Sequence, residues 1–334
     1  MNENTILEVR ELKKYFSVSE GFWKRNEGYV KAVDGINFSI KSGQTFGLVG
    51  ESGCGKTTTA RLVMRALEPT AGQILFRTAG EKVVDMADLN KEEIKPVRQD
   101  IQMVFQDPYS SLNPRLPVLE IIAEPLKAFG WEKDAYRERT AELLDLVGLD
   151  AKYMSRYPHA FSGGQRQRIG IARALALNPG LVVADEPVSA LDVSVQAQIL
   201  NLLKKLQKKM GLTYLFIAHD LSVIRYICDK VAVMYLGRLV ETAVTADLFT
   251  APFHPYTAAL LTSVPVADPR EKWMTGEIHG EITDFSRDIE GCSFAPRCRY
   301  CREKCLEKEP ELINIDGHST ACHRHGHLEL EGIK

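Results

Sequence analysis

The chain has 334 residues, 45% of them hydrophobic and 26% charged, the composition of a soluble globular protein with one large or two moderate domains. A formal net charge of −2 offers no positive field for a phosphate backbone, so nucleic acid is not an expected partner. No run reaches the roughly 18–20 apolar residues of a membrane-spanning helix, and Met1 to Lys14 lack the apolar core of a signal peptide. The chain is therefore expected in the cytoplasm, with any membrane role carried through partner subunits.

In chain order, Leu7 to Val9 and the alternating Ile36 to Ile40 predict strands of an antiparallel sheet. Between them Gly21 to Gly28 reads as a loop insertion carrying Phe22, Trp23, Lys24 and Arg25. Thr45 to Val49 predicts a short buried strand running into a glycine-rich turn, and Thr57 to Leu67 a helix. Glu92 to Val97 and Leu119 to Val147 read as helical, with Pro117 and Pro125 near helix starts, where proline is tolerated. This mostly helical insert ends near Phe161. A helix over Gly164 to Leu177, a strand over Leu181 to Ala184, a helix over Ser194 to Met210 and a strand over Thr213 to Ala218 follow. Such alternation predicts a mostly parallel sheet with helices on its faces. Val231 to Met234 and Arg238 to Glu241 predict a hairpin across Leu236-Gly237, and beyond about residue 245 short helices and loops rich in proline, histidine and cysteine mark a domain boundary.

Gly50-Glu51-Ser52-Gly53-Cys54-Gly55-Lys56-Thr57 fits G-x-x-x-x-G-K-[ST] at every required position, with a strand before it and a helix after it. Glycines let the backbone wrap closely, so successive N–H groups and a helix N-terminus face phosphates. Lys56 would reach the β- and γ-phosphates of ATP, and the Thr57 hydroxyl would ligate Mg²⁺. Downstream, the apolar run Leu181 to Ala184 ends in Asp185 and Glu186. Asp185 is placed to hold Mg²⁺, usually through water, and Glu186 to polarise the attacking water.

With these residues the sequence resembles the ABC ATPase family, and further motifs make the resemblance specific. Phe161-Ser162-Gly163-Gly164-Gln165 resembles the family signature, which implies that Ser162, Gly163, Gly164 and Gln165 complete the ATP site of an opposite subunit in a head-to-tail dimer. Val104-Phe105-Gln106-Asp107-Pro108 resembles the Q-loop, with Gln106 as a Mg²⁺ ligand coupled to a helical subdomain that docks on the membrane partner. Ser189-Ala190-Leu191-Asp192 resembles the D-loop, and His219 the switch histidine that contacts the γ-phosphate. Thr58 joins Ser52 to Thr57 in the implied nucleotide contacts, and Tyr15 matches the aromatic that stacks on adenine, with Phe16 and Tyr29 as alternatives. The implied fold is an α/β P-loop NTPase of the ABC type with an antiparallel β subdomain. The ATPase domain spans 1–245 with a helical subdomain at about 90–162, and a loop-rich cysteine extension occupies 246–334.

One P-loop, one signature and no membrane span resemble an importer motor more than an exporter or a soluble ABC protein. Phe249 to Leu261, Phe105 to Pro114 and Glu186 to Asp192 resemble the oligopeptide, dipeptide and nickel importers, most closely the second of their two paired ATPase subunits. The resemblance implies peptide import at the cytoplasmic face of the membrane, with nickel or another small solute, or a soluble non-transport role, as alternatives. It also implies a homologous partner ATPase, two permease subunits and an external solute-binding protein.

Five of the 7 cysteines crowd the last stretch of the chain, which in a reducing cytoplasm favours a metal site over disulfides. Cys292-x5-Cys298-x6-Cys305 followed by Cys322 resembles the tail of the same subgroup and implies a 4Fe–4S cluster, with zinc as the alternative. Cys298-x2-Cys301 would form a tight chelate, and His318, His323, His325 and His327 could replace a ligand for zinc.

Overall fold

The computed structural model describes residues 1–19, 27–262, 290–330 and 332; the expected loop carrying Phe22, Trp23, Lys24 and Arg25 lies outside them. The chain folds as two units woven from alternating stretches. The first comprises Met1–Leu7, Ser39–Thr45 and Leu75–Ile217, the second Glu8–Phe38, Phe46–Ile74 and Ala218–Lys334.

In the first unit, strands Ile101–Val104, Leu181–Asp185 and Thr213–Ile217 pair in parallel, with Ile101 opposite Leu181 and Leu181 opposite Thr213. The last two are buried at every residue, as parallel strands covered on both faces must be. Around them stand helices Val118–Ala128, Lys133–Leu146, Gly163–Ala174 and Val193–Met210. The run expected to be helical from Leu119 to Val147 is two helices, separated where Gly130 takes a left-handed φ of 78°. Pro117 does cap a helix start, but Pro125 sits inside the first of these helices. Proline has no N–H to complete the ladder there, and this helix ends within a turn, at Ala128. Strand Ile101–Val104 shows that the stretch 90–162 is not helical throughout.

The second unit takes most of strands Glu27–Lys41 and Thr5–Ser19 and the start of Ala71–Arg77; the first two are far longer than their apolar cores suggest. Phe46 to Val49 run parallel to Lys230 to Val233. The expected hairpin is present as Lys230–Tyr235 and Arg238–Val244. Leu236 and Gly237, at φ 43° and 82°, supply the paired left-handed residues that match the twist of its strands.

The described part of the C-terminal segment contains short strands as well as loops. Ile313–Ile315 and His318–Thr320 form a second hairpin across Asp316-Gly317, and Thr320 pairs with Glu241 to extend the same antiparallel ribbon. Glu241 is fully buried and gathers this region: its carboxylate accepts N–H groups from Phe253 (2.6 Å) and His254 (3.0 Å) and meets His318 Nε2 at 2.6 Å. The Phe253 and His318 rings stack at 3.8 Å. Burial drives the pKa of His254 down to about 4, against the pull of Glu241, so the ring is neutral and its Nδ1 accepts the Tyr256 N–H at 3.1 Å. Glu241→Ala strands three partners, two of them buried, and a loss of about 3–5 kcal/mol in urea unfolding is expected.

Candidate functional site

Strand Thr45–Val49 is buried throughout and delivers the chain into the glycine-rich loop ahead of helix Lys56–Val63. Gly50 and Gly55, at φ 152° and 110°, are the positions this path requires. A Cβ would lie 2.1 Å from the Met234 carbonyl oxygen at Gly50 and 2.2 Å from that of Ala32 at Gly55. Gly55 caps the helix without a side chain, which leaves the first turn of N–H groups to an anion. Lys56 is 5% exposed, and its Nζ donates to the carbonyls of Gly50 (2.7 Å) and Glu51 (2.8 Å). Its ammonium thus rests within the loop that would receive phosphate. Burial holds the Cys54 thiol above its ordinary pKa, with Lys56 opposing the shift.

Also in the second unit, Tyr15 is half-buried; its hydroxyl donates to Asp34, whose other carboxylate oxygen accepts from Arg238 at 2.6 Å. Phe16 and Tyr29 are the more exposed aromatics. His219 is exposed directly ahead of Asp220, which caps helix Leu221–Ile227 by accepting the Ser222 N–H at 2.8 Å.

In the first unit, strand Leu181–Asp185 ends with Asp185 buried and Glu186 turned to φ 47°, a left-handed conformation unusual for glutamate. The Glu186 N–H is held by the Ile217 carbonyl at 2.9 Å, and Gln106 Nε2 donates to its carboxylate at 2.9 Å. Two predicted site residues 80 positions apart are thereby brought together. Ser162 caps helix Gly163–Ala174 through a reciprocal box with Gln165, Gln165 N to Ser162 Oγ at 3.4 Å and Ser162 N to Gln165 Oε1 at 3.1 Å. The adjoining glycines allow close packing: a Cβ on Gly164 would meet Val195 Cγ1 at 2.5 Å. Asp192 caps the helix carrying Val195 by accepting that residue's N–H at 2.9 Å.

Cys292, Cys298, Cys305 and Cys322 all line one narrow cavity, together with Phe294 and Tyr300, whereas Cys301 is not part of its wall. Desolvation, reinforced by the neighbouring cysteines, pushes Cys292 up to about 12 and Cys298 to about 11. Among the described residues no three histidine, cysteine or acidic side chains are grouped closely enough to hold a metal ion. Of the four histidines weighed as zinc ligands, His318 meets Glu241, His323 lines the same cavity and meets the Lys308 carbonyl (2.7 Å), and His325 meets the Cys322 carbonyl (2.7 Å). Neither the expected 4Fe–4S cluster nor the zinc alternative therefore finds a ready metal-binding group among the described residues.

A strand, a glycine loop with a buried lysine and an uncapped helix start define a P-loop nucleotide-binding protein. The particular kind follows from comparison with known proteins. A family profile described as "ABC transporter" matches residues 33–189, and one described as "Oligopeptide/dipeptide transporter, C-terminal region" matches 240–305. The chain is 51% identical over 327 residues to the oligopeptide transport ATP-binding protein AppF of Bacillus subtilis (strain 168), covering 96% of this chain and 98% of that one. A putative oligopeptide transport ATP-binding protein of the same organism, YkfD, is 48% identical over 99% of both chains. Among solved structures, the ATP-binding cassette MJ0796 in a dimeric post-hydrolysis state bound to ADP and Pi aligns with TM-score 0.61 at 29% identity, covering 72% of this chain and 99% of that one. CbiO1 from Clostridium perfringens, part of the cbiONQ transporter complex, aligns with TM-score 0.62 at 29% identity, covering 74% and 91%. The chain belongs to the ABC transporter ATPases, in the oligopeptide/dipeptide group. Among the described residues no helix is long and apolar enough to cross a membrane.

Proposed function

We propose that this chain is the ATP-hydrolysing subunit that energises import of oligopeptides, acting at the cytoplasmic face of the membrane with a paired homologous ATPase, two permease subunits and an external solute-binding protein. One observation carries the reading: near-complete alignment at 51% identity with a protein named for oligopeptide transport. In a strain lacking this chain, uptake of a labelled oligopeptide should fall to background while nickel uptake is unchanged. Loss of nickel uptake alone would reassign the solute, and loss of neither would point to a soluble, non-transport ATPase.

In this reading residues Ser52 to Thr58 bind the phosphates, Tyr15 stacks on adenine with its ring oriented by Asp34, and Thr57, Gln106 and Asp185 are the hard oxygen donors suited to Mg²⁺. Bound Mg²⁺ neutralises charge on the β- and γ-phosphates. Glu186 polarises the attacking water, His219 contacts the γ-phosphate, and Ser162 to Gln165 with Asp192 act on ATP held by the opposite subunit. The helical stretch within 90–162 passes closure on to the permease.

We further propose that Cys292, Cys298, Cys305 and Cys322 hold a 4Fe–4S cluster as a structural staple of the 246–334 extension. What supports it is the shared cavity of those four thiols and the exclusion of Cys301 from it. Anaerobic purification should yield brown protein with about four iron and four sulfide per chain; colourless protein, or one zinc per chain, would overturn it.

A further inference from the structure

Arg297 stands in the helical turn Ala295–Arg297, one residue ahead of Cys298, and its side chain is 7% exposed. It reaches Glu51, the second residue of the phosphate loop and 246 positions earlier in the chain. Nη1 donates to Glu51 Oε2 at 2.8 Å and Nη2 to Oε1 at 3.0 Å, the two-pronged arrangement that fixes a carboxylate in direction as well as distance. Two tyrosines complete the brace. Tyr235 Oη accepts from Arg297 Nη1 at 3.3 Å, and Tyr256 Oη accepts the Glu51 backbone N–H at 2.9 Å. The rings of Tyr235, Tyr256 and Phe294 pack with centroids 4.6–5.4 Å apart. The Glu51 carbonyl in turn holds Lys56 Nζ at 2.8 Å. The side chain, amide and carbonyl of a single loop residue are therefore all fixed, two of them by residues beyond 255.

A carboxylate in a phosphate loop poses an electrostatic problem, because a nucleotide triphosphate brings several negative charges into the same space. Arg297 both neutralises Glu51 and pins its carboxylate toward the cysteine segment. We infer that Arg297 is a positioning residue for nucleotide binding, through which the fold of the cysteine segment sets the affinity of the phosphate loop. This rests on residues 50–57 being that loop.

The test is titration of the full-length protein with a fluorescent ATP analogue, beside ATPase kinetics. Arg297→Gln should raise Kd about tenfold, with a matching rise in KM for ATP and a smaller change in kcat. A merely structural loss would instead lower the active fraction, and so kcat, at unchanged Kd. Arg297→Lys, which keeps the charge and loses a prong, should fall between wild type and Arg297→Gln. Glu51→Gln combined with Arg297→Gln should bind no more weakly than Arg297→Gln alone. The exposed neighbour Arg299→Gln should match wild type. Wild-type Kd in Arg297→Gln, or additive losses in the double variant, would overturn the inference. If Arg297→Gln does not fold, wild-type Kd in Arg297→Lys does so instead. Lys56→Ala separates the two layers: unaltered affinity there would remove the phosphate-loop reading itself, whereas affinity lost there but kept in Arg297→Gln removes only the positioning role.

Discussion

Glu186→Gln is expected to bind ATP with near wild-type affinity, to stabilise the nucleotide-bound dimer and to lose turnover by about 10²–10⁴-fold. The basis is local. Gln106 Nε2 donates to the Glu186 carboxylate at 2.9 Å, and a glutamine carbonyl oxygen can accept the same bond, so the site keeps its shape. The left-handed backbone at φ 47° holds Glu186 at the strand end whether the side chain is acid or amide. What the amide lacks is basicity toward a water proton. Phosphate release and nucleotide affinity measured on the same preparation separate these effects, and wild-type turnover in Glu186→Gln would remove Glu186 from the catalytic role.

Lys56→Ala is expected to act on binding itself. Its Nζ now donates to two loop carbonyls at 2.7 and 2.8 Å, an arrangement in which the cation is already desolvated and close to where phosphate would enter. Exchange of those carbonyls for phosphate oxygens gives charge-assisted bonds of about 1.5–3 kcal/mol. Losing them corresponds to roughly 10–100-fold weaker binding in a fluorescent-nucleotide titration. A parallel thermal melt guards against a collapsed loop, since the two carbonyls also lose their internal donor.

The nucleotide chemistry was legible in the sequence because it is written in contiguous motifs. Gly50 to Thr57 must follow one another for the backbone to curl, and each apolar strand that ends in a candidate site residue is itself a continuous run. The Gln106–Glu186 contact was not legible, because no strand is read at Ile101–Val104 and only its parallel pairing with Leu181–Asp185 brings the two residues together. Elements whose meaning depends on packing were harder. Pro125 reads as a helix start, yet it lies inside Val118–Ala128, because tertiary packing of Ile121, Ile122 and Leu126 outweighs the missing donor. The hairpin at 313–320 was missed although Asp316-Gly317 is a strong two-residue turn signal, since its strands are only three residues each. The Arg297–Glu51 pair had no sequence signal at all: neither residue stands out alone, and their meeting follows from how the C-terminal segment folds.

In the proposed function, hydrolysis at Glu186 drives peptide across a membrane. Its most direct test is ATP-dependent uptake of a labelled oligopeptide into vesicles reconstituted with the permease subunits, the solute-binding protein and the paired ATPase. Vesicles carrying the wild-type chain should accumulate peptide in proportion to phosphate released, and those carrying Glu186→Gln should bind ATP and accumulate none. Equal accumulation with the two chains, or ATP turnover by the wild type with no peptide movement, would contradict it.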